Sequence, residues 1–188
     1  MRHPMGTISA GLLVLALGAC AKGSAERAIT AAEKAVAGIQ ADASKIAPAE
    51  LKALTDSIAA MKAHVAAGDH RAALMGGRSV ATGARDLGSS LATRKEQLTT
   101  SFNAVAGELP AQLTAVLARI KELQGLRRLP GGIDPAKFSA LAADAGGWET
   151  AWKAAADGFA AGNLSEALSQ ARAIATKVAD ARSLLGMS

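Results

Sequence analysis

The chain predicts an all-α fold, an alanine-rich helical bundle built from two repeated three-helix units. Three observations carry that prediction. Alanine dominates the 188 residues, supported by Leu, Lys, Glu, Gln and Arg, all strong helix formers. Apolar residues recur at spacings of three and four, and no stretch alternates as a half-buried strand would. Finally, two stretches of the first half return in the second. Ile46–Leu54 aligns with Ile133–Leu141 at an offset of 87, with five of nine positions identical, and residues 66–86 align with 160–180 at an offset of 94, with nine of 21 identical. The offset grows by seven, two helical turns, so added residues around Ala142–Gly147 keep the buried face in phase.

The elements follow in order. A first helix is expected near 25–45. Pro48 suits the first turn of a second, 48–67, whose apolar stripe is Leu51, Leu54, Ile58, Met61 and Val65. Gly68-Asp69 makes the next turn. Glycine takes the left-handed position after the helix, and Asp69 caps a third helix over 70–92, extending to about 106. Pro110 is placed in the first turn of a fourth helix, 110–124, with Leu109, Leu113, Val116, Leu117, Ile120 and Leu123 as its stripe. Gly125–Asp134 (Gly-Leu-Arg-Arg-Leu-Pro-Gly-Gly-Ile-Asp) is the best loop and boundary. Asp134 before Pro135 caps a helix over 135–161, interrupted at Gly146-Gly147. Gly162-Asn163 repeats the first turn, and Glu166, three after Asn163, completes a capping-box-like pair for the last helix, 164–185. The division is 25–106 and 107–188. Alanine buries little area, at about 25 cal/mol per Å², so both units are expected to share one core and form an elongated bundle.

The start of the chain carries an address. Arg2 and His3 precede a short apolar run, Ile8–Leu17, which is too brief to span a bilayer as a mature helix. Leu17-Gly18-Ala19-Cys20 follows. A basic start, an apolar core and small residues before a cut describe a secretory signal. With cysteine next, the segment resembles the lipobox of bacterial lipoproteins. That resemblance implies cleavage of residues 1–19 and lipidation of Cys20, with a diacylglycerol on the thiol and an acyl chain such as palmitate on the new amine. Two or three chains hold a protein firmly where one does not. Residues 20–24 then form the lipidated cysteine and a short tether. Ala21 stands where the Gram-negative retention signal has Asp, so the expected location is the outer membrane, facing the periplasm.

Composition excludes several classes. Cys20 is the one cysteine, so its lipidation leaves no disulfide, thiolate metal site or cysteine nucleophile. Removal of residues 1–19 takes away one of the 21 basic residues and none of the 16 acids, for a mild net charge of +4. Basic residues are spread along the chain, and Arg127-Arg128 is a pair rather than a run. Aromatic residues make up 3% of the chain and tyrosine is absent, which leaves few platforms for stacking bases, so no nucleic acid is expected.

No catalytic residue is assigned, because the hydrolase, metalloprotease and phosphate-loop signatures are missing. Trp148, Trp152 and Phe159 share one helical face. They are read as core rather than a ligand stripe, because their repeat partners are Leu54, Ile58 and Val65. His64 and His70 flank the first turn with Asp69 between them, too few ligands for a metal site, and no metal is expected. Covalent haem is excluded by the missing Cys-x-x-Cys-His. His64, His70, Met61, Met75 and Met187 do not supply a convincing axial pair, so no cofactor is expected.

Ile46-Ala47-Pro48-Ala49-Glu50-Leu51, followed by Gly68-Asp69-His70 and Ala73, resembles a class of alanine-rich α-helical envelope lipoproteins with a Tyr-Ala-Pro-x-Glu-Leu start and a Gly-Asp-Tyr turn. Here the tyrosines of that pattern are replaced by Ile46 and His70. The resemblance covers about a quarter of the chain and implies a helical module, with no catalytic activity and no functional residue to transfer. The expected function is therefore non-enzymatic: a lipid-anchored module that contacts the membrane through Cys20 and binds or spaces an envelope protein or cell-wall polymer. The alternative is a small-ligand or cofactor binder with a pocket between helices near Trp148 and Trp152.

Overall fold

The computed structural model describes residues 11–187; for 11–20 it describes the backbone alone. The start of the expected signal (1–10) and the Cys20 side chain lie outside the described residues. The chain is all-α, with no strand among the described residues: α1 (Gly11–Ile46), α2 (Pro48–Ala66), α3 (His70–Gln124), α4 (Pro135–Ala145), α5 (Trp148–Ala160) and α6 (Leu164–Leu184). It divides into two compact units, Met1–Leu91 and Ala92–Ser188, with the division inside α3.

The first unit packs α1, α2 and the first part of α3 around Ile29, Ala32, Val36, Ile58, Met61, Val80 and Ala84. Its core is made close by missing side chains. A methyl built at Gly77 of α3 would stand 2.9 Å from the Ala28 Cβ of α1, and one at Gly76 would stand 2.8 Å from the Met61 Cγ of α2. Glycine therefore sets how near the helix axes come, and fully buried Met61 fills what remains.

The second unit packs α4, α5, α6 and the rest of α3. One cluster joins Leu109, Leu113, Val116, Ile120 and Leu123 of α3 to Phe138, Trp148, Ile174 and Val178. Another joins Phe102 to Ala155, Ala167, Leu168 and Ala171. All five aromatic residues of the chain, three Phe and two Trp, lie in this unit.

The turns follow from glycine. Gly68, Gly162 and Gly186 adopt φ of +80°, +84° and +64°. In each, the glycine N–H and the next N–H reach back to carbonyls of the finished helix: Gly68 to Val65 and Asp69 to His64, Gly162 to Phe159 and Asn163 to Gly158, Gly186 to Ser183 and Met187 to Arg182. This double closure satisfies carbonyls that a helix end otherwise leaves open. The first two turns lie 94 residues apart, and burial keeps the same phase beyond them. Ala73, Gly77, Val80, Ala84, Leu87 and Leu91 are buried, as are Ala167, Ala171, Ile174, Val178, Ala181 and Leu185.

Two local expectations are corrected. No helix starts at Pro110, because α3 runs through it from His70 to Gln124. Proline in a helix interior removes one backbone bond and costs about 3 kcal/mol. Here its neighbours Leu109 and Leu113 are buried in one stripe with Phe102 and Val116, and burial of that stripe outweighs the lost bond. The Pro110 carbonyl still accepts the Thr114 hydroxyl at 2.9 Å. Glu166 makes no capping box either. Its carboxylate accepts from Gln170 Nε2 at 3.0 Å, and Asn163 makes no side-chain cap bond.

Candidate functional site

Asp134 takes the cap position read from the sequence. Its Oδ1 accepts the backbone N–H of Ala136 at 2.8 Å and of Lys137 at 3.0 Å, with Pro135 opening α4. These bonds, that to Lys137 foremost, hold its carboxyl below the usual value. α4 ends at Ala145, and the Gly146-Gly147 break turns the chain into α5. Trp148 thus stands one helical turn beyond Asp144.

The side chains at this break form the best-defined polar constellation of the second unit. The Trp148 indole is buried and its Nε1–H donates to Asp144 Oδ2 at 3.0 Å. Lys177 of α6 donates to both Asp144 oxygens, at 3.0 and 2.9 Å. The Lys177 ammonium, and after it the indole N–H, hold the Asp144 carboxyl below its ordinary range. Beside this group, a shallow groove of about 370 Å³ runs between α5 and α6, lined by Trp148, Ala151, Ala154, Gln170, Ala173, Ile174 and Lys177. Its floor is apolar and its rim carries one cation and one amide. Such a groove can hold a small apolar body with an acceptor at one end.

Trp152 and Phe159 do not line this groove. They pack against Phe102, with Trp152 stacked at a centroid distance of 5.8 Å and Phe159 at 4.0 Å. The three expected stripe residues serve both clusters: Trp148 lies in the larger, Phe159 packs on the smaller, and Trp152 packs against both. Phe102 carries no local motif in the sequence. Its signal was the three-and-four spacing that continues past it through Val105 and Leu109.

In the first unit, His64 Nδ1 and Asp69 Oδ2 stand 3.8 Å apart on the exposed turn. Asp69 is committed to capping, accepting the Ala72 N–H at 3.0 Å. The His70 Nδ1 is buried without a hydrogen-bond partner. Met61 is in the core and Met75 is exposed. No cluster of three metal-ligating side chains occurs among the described residues. Nor, among them, is any helix long and apolar enough to cross a membrane. No family model, curated protein or solved structure matches the chain.

Proposed function

We propose that the protein is a lipid-anchored, non-enzymatic helical module of the bacterial envelope, held at the outer membrane through Cys20 and facing the periplasm, where it binds or spaces other envelope components. The observation that carries this reading is Leu17-Gly18-Ala19-Cys20 behind a basic start and a short apolar run. The structure adds a consistent detail. The tether residues Ala21–Ser24 belong to α1, and Ala25, five residues beyond Cys20, is already buried. A body that begins so soon after its anchor stays close to the bilayer. Intact-mass analysis of protein purified from cell membranes tests the reading. A chain beginning at Cys20 with added acyl mass supports it; a free thiol at Cys20 overturns it. Cross-linking in cells, with the anchored form against Cys20→Ala, then identifies the partner.

The groove beside Trp148 supports a second reading, a small-ligand binder. Trp148 is in van der Waals reach of anything seated there, so a titration followed by its fluorescence tests that reading. A saturable change that Lys177→Ala weakens would support it, and a flat response to apolar carboxylates would count against it.

A further inference from the structure

The outward line of α3 in the first unit is built from arginine. Arg71, Arg78 and Arg85 are exposed and stand seven residues apart, about 10.5 Å of helix per interval. They lie on the face opposite the buried Ala73, Gly77, Val80 and Ala84, so they point away from the core. From His70 to Arg85 the sequence holds no acid. Of the unit's other acids, Glu33 pairs with Lys62, Asp56 with Lys52, and Asp69 caps the helix, while exposed Asp86 follows Arg85 without forming an ion pair with it. Among the described residues, none of the three arginines has an ion-pair partner. Met75 stands in the same line and is 65% exposed, a large apolar side chain left to water between two cations.

The scaffold does not require this pattern. α6 repeats the buried positions of α3 at an offset of 94, yet its outward line reads Ser165, Ser169, Arg172, Thr176 and Ala179 where α3 has Arg71, Met75, Arg78, Thr82 and Arg85. Three of the five positions are replaced by small neutral residues without loss of the helix or its packing.

We propose that this face of α3 lies against an anionic lipid surface, with the three arginines on headgroup phosphates and Met75 reaching the apolar boundary beneath them. Each arginine near such a surface gains from its negative potential, and long side chains bring charge to phosphate while their stems cover apolar surface. Met75 favours lipid over a hydrated anionic polymer, which offers a thioether no apolar contact. The proposal deepens the envelope reading, but its test does not pass through Cys20, so the two can fail separately.

The test uses the full chain carrying Cys20→Ala. It is titrated with phosphatidylcholine vesicles containing about one-third phosphatidylglycerol, and with pure phosphatidylcholine vesicles as the uncharged reference. Binding to the anionic vesicles alone, weakened by salt, is expected. Replacing Arg71→Ser and Arg85→Ala, the residues α6 itself carries, should weaken binding roughly thirtyfold while the helical circular dichroism is unchanged. Met75→Ser should weaken it severalfold. Arg127→Ala with Arg128→Ala removes the same charge from the second unit and should leave the affinity unchanged. Equal losses from the two double variants, or no preference for anionic vesicles, would overturn the proposal. So would a soluble anionic polymer binding as tightly as the vesicles with Met75→Ser making no difference.

Discussion

Lys177 and Asp144, 33 residues apart in sequence, meet at both carboxylate oxygens, and the same carboxylate holds the indole of Trp148. One exposed acid thus touches three elements: it stands at the end of α4, holds the first residue of α5 and pairs with a lysine of α6.

That arrangement sets a pH dependence. The Asp144 and Asp134 carboxyls both lie below their ordinary value of 3.8 in the folded chain. A depressed folded value means the stabilisation is complete above the unfolded value and is lost as pH falls through the folded one. Urea unfolding of the second unit, followed by tryptophan fluorescence, should be flat above about pH 5 and decline at more acidic pH. Asp144→Asn keeps an acceptor for the indole but loses the charge attraction to Lys177. It should lower stability at neutral pH and flatten the acid decline. An unchanged acid decline would show that Asp144 takes no part in it.

Glycine at the two turns should resist substitution equally. Gly68→Ala and Gly162→Ala each force a β-carbon into the left-handed region, at a cost of about 1–2 kcal/mol. Denaturant midpoints measured for both variants should fall with little change in slope. A loss at one turn alone would mean that the shared hydrogen bonds do not produce shared energetics.

Two glycines of α3 should respond with opposite sign. Gly77→Val places atoms against Ala28 and the Met61 Cε and should cost about 1–3 kcal/mol by overpacking. Gly107→Ala meets nothing within 4 Å and should gain about 0.5–1 kcal/mol from better helix propensity. Thermal melts of the two variants check the sign, and destabilisation by Gly107→Ala would show that the space beside it is needed.

Phe102 should behave as the keystone of the smaller aromatic cluster. It is buried and stacked on both Trp152 and Phe159. Phe102→Ala should cost about 3–5 kcal/mol and shift Trp152 emission toward that of a wetter indole. A cost near that of an exposed site would mean that Trp152 and Phe159 close over the gap.

Much of the fold was legible because its punctuation is local. Gly68-Asp69 and Gly162-Asn163 mark turns whose chemistry depends on two or three adjacent residues, and Asp134-Pro135 marks a helix start in the same way. Gly146-Gly147 breaks the chain where the growth of the repeat offset placed the extra turns. Pro110 misled for the complementary reason. Its local preference for a first turn is real, but it competes with a buried stripe running from Phe102 past Val116, and packing of that length is not visible in a window of a few residues. Glu166 carried the spacing of a capping box, yet Gln170, one turn on, offers its carboxylate an amide at no cost to the backbone. Phe102 went unnoticed because its partners, Trp152 and Phe159, lie about fifty residues away on another helix. The Asp144–Lys177 pair was hidden in the same way.

The confinement of every aromatic ring to the second unit has an optical consequence. Excitation at indole wavelengths reports on residues 92–188 alone, and the first unit is silent in the near ultraviolet, whereas far-ultraviolet dichroism sees both. The molecule thus carries a built-in contrast between its halves. If the two signals superimpose through a melt, the units unfold as one; if they separate, the gap between them times the first unit against the second without any added label.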